Sequence, residues 1–163
     1  VRFVSVGFER DPWPVNMLDP EPYLRALPDL APQLPTGAAA FATDADHYDF
    51  GSVRCVKDLA VGAVTIREAG HDQVTAVIEF EPNRFKHDSG LVIRYEGVTR
   101  FNVEVDESKP GTKVWPESRR LGDLQLDEIL PAATGCTHEV KLTGGTIFVQ
   151  CADLRATWDS PGT

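Results

Sequence analysis

The chain has 163 residues, 42% hydrophobic and 25% charged, with 12 prolines and 13 glycines; this length suffices for a globular core without disulfide or metal support, and the prolines exclude a coiled coil or long helical bundle. With 25 Asp and Glu against 16 Lys and Arg the formal net charge is −9. That balance argues against nucleic-acid binding, which needs a basic face to neutralise phosphates, and against adhesion to an anionic membrane. The one adjacent basic pair is Arg119-Arg120.

Residues 1–8 (VRFVSVGF) are β-branched and aromatic, with Val4 and Val6 on one pleat face and Phe3 on the other. They read as a first strand and not as a signal peptide. Residues 12–35 hold seven of the 12 prolines. This density predicts an ordered Pro-rich N-terminal arm wrapping the core, with no regular strand and no long helix. Within it Asp19-Pro20-Glu21-Pro22 caps one short helix through Leu27, which Pro28 ends. Leu18, Tyr23, Leu24, Leu27, Leu30 and Leu34 supply its apolar contacts.

From about residue 52 the pattern has period two. Residues 60–68 (AVGAVTIRE) and 73–80 (QVTAVIEF) form a predicted hairpin across Ala69-Gly70-His71-Asp72, with Val74, Ala76, Ile78 and Phe80 on one face. After a polar break over 81–89, residues 90–96 and 98–105 predict a second hairpin around Gly97, with faces Leu91, Ile93, Tyr95 and Phe101, Val103, Val105. Residues 106–120, with Pro110, Gly111 and Pro116, read as a surface loop. Residues 121–130 (LGDLQLDEIL) fit strand and helix periods alike. Residues 136–142 and 146–151 make a third hairpin at Thr143-Gly144-Gly145, and Leu154 and Trp158 are the last apolar marks. Together these predict a mainly β fold over residues 1–163: a single-domain antiparallel β-sandwich or partly open β-barrel of seven or eight strands, with at most one or two short helices.

Chemical motifs are sparse. The four histidines, His47, His71, His87 and His138, each have an acidic neighbour in sequence, but no HxH, HExxH or HxxxH spacing occurs. They read as solvated loop and turn residues, and no metal or other cofactor is expected. Cys55, Cys136 and Cys151 are an odd set without CxxC spacing, which points to a reducing cytoplasm. Cys55 and Cys151 lie in apolar runs as small buried groups; Cys136 opens a strand and shares a face with His138 if that strand is regular. No GxSxG elbow or phosphate-binding loop is present. The 11 Arg against five Lys suit a GC-rich bacterial genome.

Carboxylates gather at Asp44, Asp46, Asp49, at Glu104, Asp106, Glu107, and at Asp123, Asp127, Glu128. The first group fails the EF-hand pattern, since its sixth place is Asp49 and its twelfth is Cys55. The sequence instead predicts a non-enzymatic acidic protein-binding module for a basic partner, as when an immunity protein neutralises a nuclease-like toxin. Its partner-binding residues are Asp44, Asp46, Tyr48, Asp49, Glu104, Asp106, Glu107 and Trp115, aromatic anchors beside acids that steer encounter. The alternative is a small β-barrel enzyme or carrier, cyclase-like, with an apolar pocket lined by Phe80, Tyr95, Phe101 and Phe148. An exposed edge strand would also allow a homodimer.

Overall fold

A computed structural model describes residues 1–9, 12–13, 15–71, 73–108 and 119–159. Period-two segments become strands wherever one face has a partner layer to bury against. Among the described residues these are β1 (Ser5–Glu9), β2 (Val15–Asp19), β3 (Ala60–Glu68), β4 (Val74–Glu81), β5 (Leu91–Glu96), β6 (Arg100–Val105), β7 (Leu124–Pro131), β8 (Cys136–Leu142), β9 (Gly145–Cys151) and β10 (Asp153–Trp158). Two short helices, α1 (Glu21–Leu30) and α2 (Thr36–Ala42), flank a 3-10 turn at Ala31–Gln33.

Two four-stranded antiparallel sheets, ordered β10-β5-β4-β3 and β6-β9-β8-β7, pack in a sandwich-like arrangement, and β1 and β2 form a separate ribbon. The alternation read from the sequence is realised on the inner faces. Ala76, Ile78 and Phe80 of β4, Leu91, Ile93 and Tyr95 of β5, and Ile147 and Val149 of β9 are all buried in one core. Each such large side chain contributes about 1.5–3 kcal/mol.

The sheets meet at two seams. Across the first, β5 runs into β6 while β9 runs into β10, so a pair of strands bends together from one sheet to the other. Gly97 stands at this corner with φ +60°, and a Cβ there would lie 2.9 Å from Ala152 Cβ. The Ala152 N–H donates to the carbonyls of Glu96 at 2.9 Å and Gly97 at 3.2 Å. Across the second seam, Ala60 bridges Asp123, and the Leu124 N–H donates to the Leu59 carbonyl at 2.8 Å.

Several expectations change. The segments on either side of Gly97 do not pair with each other, because the glycine turns a corner and does not reverse the chain: β5 pairs with β4 and β10, β6 with β9. Val103 and Val105, beyond the corner, remain 40% and 42% exposed. A strand does form inside the proline-rich stretch, since Val15–Asp19 contains no proline. Helix α1 runs past Pro28 to Leu30, because a proline so near the C-terminal end removes only one late hydrogen bond. Helix α2 and strand β10 add to the elements expected from the sequence: TGAAAFA has helix-forming alanines, and Leu154, Ala156 and Trp158 alternate.

The ambiguous segment is β7, and its poor alternation has a physical cause. Residues 124–129 are buried on both faces. On one side the Glu128 carboxylate accepts the N–H groups of Arg2, Phe3 and Val4 at 2.7, 2.6 and 2.9 Å. The Tyr23 hydroxyl of α1 donates to the Ile129 carbonyl at 2.8 Å and accepts its N–H at 3.1 Å, which protects β7 as an edge. Among the described residues, no helix is long and apolar enough to cross a membrane.

Candidate functional site

Helix α2 gives way to a tight turn over residues 43–50, shaped by short polar side chains bonding their own backbone. Asp44 accepts the Asp46 N–H at 2.9 Å, and Asp49 accepts the Gly51 N–H at 3.0 Å. The turn is two-sided: Asp44 and Asp49 face solvent and Asp46 is half-buried, whereas His47 and Tyr48 reach inward.

Their target is Asp127 on β7. His47 Nε2 lies 2.8 Å from one Asp127 carboxylate oxygen, and His138 Nε2 of β8 lies 2.8 Å from the other. The Tyr48 hydroxyl donates to Asp127, both to its carbonyl and, at 3.0 Å, to its carboxylate. The Tyr95 hydroxyl of β5 is hydrogen-bonded to His138 Nδ1 at 2.8 Å, and His47 Nδ1 donates to the Phe41 carbonyl at 3.0 Å. One buried carboxylate therefore ties the acidic turn to both sheets.

The hydrogen bonds specify the charges. Both neighbours of His47 are acceptors, so both ring nitrogens donate and the ring is an imidazolium against an ionised Asp127. Burial opposes that charge on His47, but the Asp127 charge and hydrogen bond outweigh it and raise the imidazole pKa above its ordinary value. Burial likewise opposes the Asp127 charge, yet the two imidazoles hold its carboxyl well below the usual carboxylate range. Burial pushes the hydroxyls of Tyr48 and Tyr95 well above the ordinary tyrosine value, so both stay protonated. His47, Asp127 and His138 are 3%, 1% and 0% exposed. Such an enclosed node holds charge and orients its neighbours.

The histidines thus correct the expectation of solvated loop residues: His47, His87 and His138 are buried and hydrogen-bonded, and His71 is exposed. His87 accepts the Asn83 N–H at 3.0 Å and pairs with the Cys55 carbonyl at 2.8 Å, a neutral ring whose pKa burial lowers. Among the described residues, no group of three or more His, Cys, Asp or Glu side chains is placed to hold a metal ion. Cys136 and His138 share the inner face of β8, but the His138 ring is engaged by Asp127 and Tyr95, and the neighbour of Cys136 Sγ is Cys151 Sγ at 3.7 Å.

The carboxylates expected to meet a partner fall into two places. Asp44, Tyr48 and Asp49 border a groove of about 360 Å³ between α1 and the turn, floored by Leu24 and Leu27. Asp44 also borders a second groove of about 400 Å³ between α2 and β10, with Glu96, Asp153, Arg155 and Trp158. It stands on the ridge between them. Glu104, Asp106 and Glu107 follow the opposite edge strand, β6, where the Asp106 N–H donates to the Gly144 carbonyl at 2.8 Å. Strands β9 and β8 lie between β6 and β7, the strand to which the 43–50 turn is bonded. Trp115 and most of the 106–120 loop lie outside the described residues.

Of the aromatics expected to line an internal pocket, Phe101 is half-buried against the core. Phe80 and Tyr95 are core residues, whereas Phe148 faces outward beneath the Arg100 guanidinium, 4.9 Å from its ring centroid. Sequence reading missed the Asp127 node altogether. The available signal was His138, a polar residue among Cys136, Val140 and Leu142 on an otherwise apolar face. No protein-family model, curated protein or solved structure matches the chain.

Proposed function

We propose that this protein is a non-enzymatic acidic binding module that captures and neutralises a basic protein, in the manner of a bacterial immunity or antitoxin protein of the cytoplasm. The observation that carries this reading is the anchoring of the 43–50 turn: His47 and Tyr48 bond to buried Asp127, while Asp44 and Asp49 of the same turn face solvent beside an apolar groove. Acids presented on a fixed backbone lose little conformational freedom on binding, so more of the interaction appears as affinity. The groove suits a lysine or arginine, whose methylenes lie along Leu24 and Leu27 while the cationic head reaches Asp44 or Asp49. The net charge of −9 speeds encounter with a cationic surface. Three unpaired thiols fit a reducing compartment.

The test is recovery of the protein from its own host at low salt, followed by hydrogen-exchange mapping of the complex. The expected result is a basic partner released as salt rises, with protection over residues 21–30 and 43–50. A bound small molecule, or protection confined to β4 and β5, overturns the proposal.

A further inference from the structure

Cys136 and Cys151 face each other across the β8–β9 ladder as direct partners in register. Directly opposed residues in an antiparallel pair have Cα atoms about 4.5–5.5 Å apart, inside the range of about 4.4–6.8 Å that a disulfide spans. Both side chains point to the inner face, and their sulfurs are 3.7 Å apart. Closing that gap to about 2.05 Å brings the pair to the length of a disulfide bond. Both thiols are free.

The pair is also the last rung of its ladder. Cys136 is the first residue of β8, directly after a turn closed by the Ala132 N–H on the Gly135 carbonyl at 3.1 Å, and Cys151 is the last residue of β9. Both thiols are buried, so a small oxidant reaches them through local opening of this end of the β8–β9 ladder. Cys55 differs in kind: its sulfur lies in another segment, 3.5 Å from the His47 carbonyl.

We propose that Cys136 and Cys151 form a redox-active dithiol that a hydroperoxide converts reversibly to an intramolecular disulfide. The Cys136 thiolate attacks one peroxide oxygen; the O–O bond breaks, and the other oxygen leaves as water or an alcohol after taking up a proton. The Cys136 sulfenic acid is then attacked by the Cys151 sulfur, the S–S bond forms, and the hydroxyl departs as water with the Cys151 proton. Two thiols lose two electrons and one hydroperoxide is reduced, giving one disulfide, one water and one further water or alcohol. The two sulfurs are 3.7 Å apart, so a sulfenic acid formed on Cys136 has its resolving thiol in direct contact. The inference is independent of the binding function.

The experiment treats the folded, reduced protein with hydrogen peroxide, blocks remaining thiols with N-ethylmaleimide in denaturant, and maps peptides by mass spectrometry. The expected product is lighter than the reduced protein by two hydrogens before blocking, carries a Cys136–Cys151 linked peptide, and is alkylated at Cys55 alone. Dithiothreitol restores all three thiols, and oxidation raises the thermal midpoint by about 5–10 °C, as expected for closing a loop of this length. In Cys151→Ser, dimedone traps a sulfenic acid at Cys136. Three alkylated cysteines after excess peroxide, a sulfinic acid at Cys136 with Cys151 still alkylated, or a disulfide involving Cys55 overturns the proposal. The wild-type peptide map decides the matter even if the serine variant does not fold.

Discussion

Replacing Asp127 by asparagine keeps the side chain's shape and removes its charge, which isolates what the buried node contributes. The wild-type carboxylate accepts from His47 and His138 at 2.8 Å each and from the Tyr48 hydroxyl at 3.0 Å. Asparagine offers one oxygen where the carboxylate offers two, so its NH2 group must face one imidazole N–H. His47 also loses the counter-charge that holds it protonated, at a site where burial disfavours the charge. Removing one partner of a buried pair costs about 3–5 kcal/mol. At about 2–4 °C per kcal/mol for a chain of this size, the thermal midpoint should fall by about 10 °C. Urea unfolding followed by tryptophan fluorescence reads the loss as a lower midpoint with an unchanged slope. The matched control is Asp46→Asn, whose carboxylate belongs to the acidic turn and not to the node. A loss below about 1 kcal/mol for Asp127→Asn, within the range of ordinary surface changes, would refute the assignment of the node as the anchor of that turn.

The pH dependence of stability separates two histidines. His47 has a folded pKa above 6.5, so its contribution is complete below 6.5 and is lost as pH rises through the raised value. Asp127 is the reverse, contributing above 3.8 and losing its contribution as pH falls through its depressed value. His87, with a folded pKa below 6.5, contributes above 6.5 and loses that contribution as pH falls. Thermal midpoints from pH 5 to 9 should therefore lose their alkaline decline in His47→Gln and part of their acid decline in His87→Gln; unchanged profiles would contradict the assigned charges. Gly97→Ala combines a φ of +60° with a Cβ 2.9 Å from Ala152 Cβ, whereas Gly70→Ala has a φ of +74° and nothing within 4 Å. Backbone strain alone costs about 1–2 kcal/mol, so Gly97→Ala should be the more destabilising in denaturant titration, and equal losses would remove the corner contact from the account. Glu128→Gln leaves fewer acceptor sites for the N–H groups of Arg2, Phe3 and Val4; limited proteolysis should cut the N-terminal segment faster while the remaining core resists.

Much of the sheet framework is legible in the sequence because burial on one face writes a period of two. Residues 74–81, 91–96 and 136–142 show it, and each becomes a strand; residues 60–68 also form a strand, but their burial does not alternate. Where both faces are covered the period disappears, as in LQLDEI of β7 between the core and the N-terminal segment. Pairing is less legible than strands: Gly97 carries the same residue type for a reversal as for a corner, and only the tertiary partner Ala152 decides between them. The Asp127 node was hidden for a related reason. His47, Tyr95, Asp127 and His138 come from four separate segments and match no local spacing. The acids of the 43–50 turn were visible as a cluster, but the inward anchoring by His47 and Tyr48 that distinguishes them from an ordinary solvated run was not.

The most direct test of the binding account is native mass spectrometry of the protein recovered gently from its own host, comparing the wild type with an Asp44→Asn/Asp49→Asn variant. Both side chains face solvent, so the variant should keep its thermal midpoint. The expected result is a basic protein bound to the wild type, lost as salt is raised, and absent or strongly reduced in the variant. A partner retained equally by both proteins, or a bound small molecule in its place, would contradict the account and move the functional site away from the acidic turn.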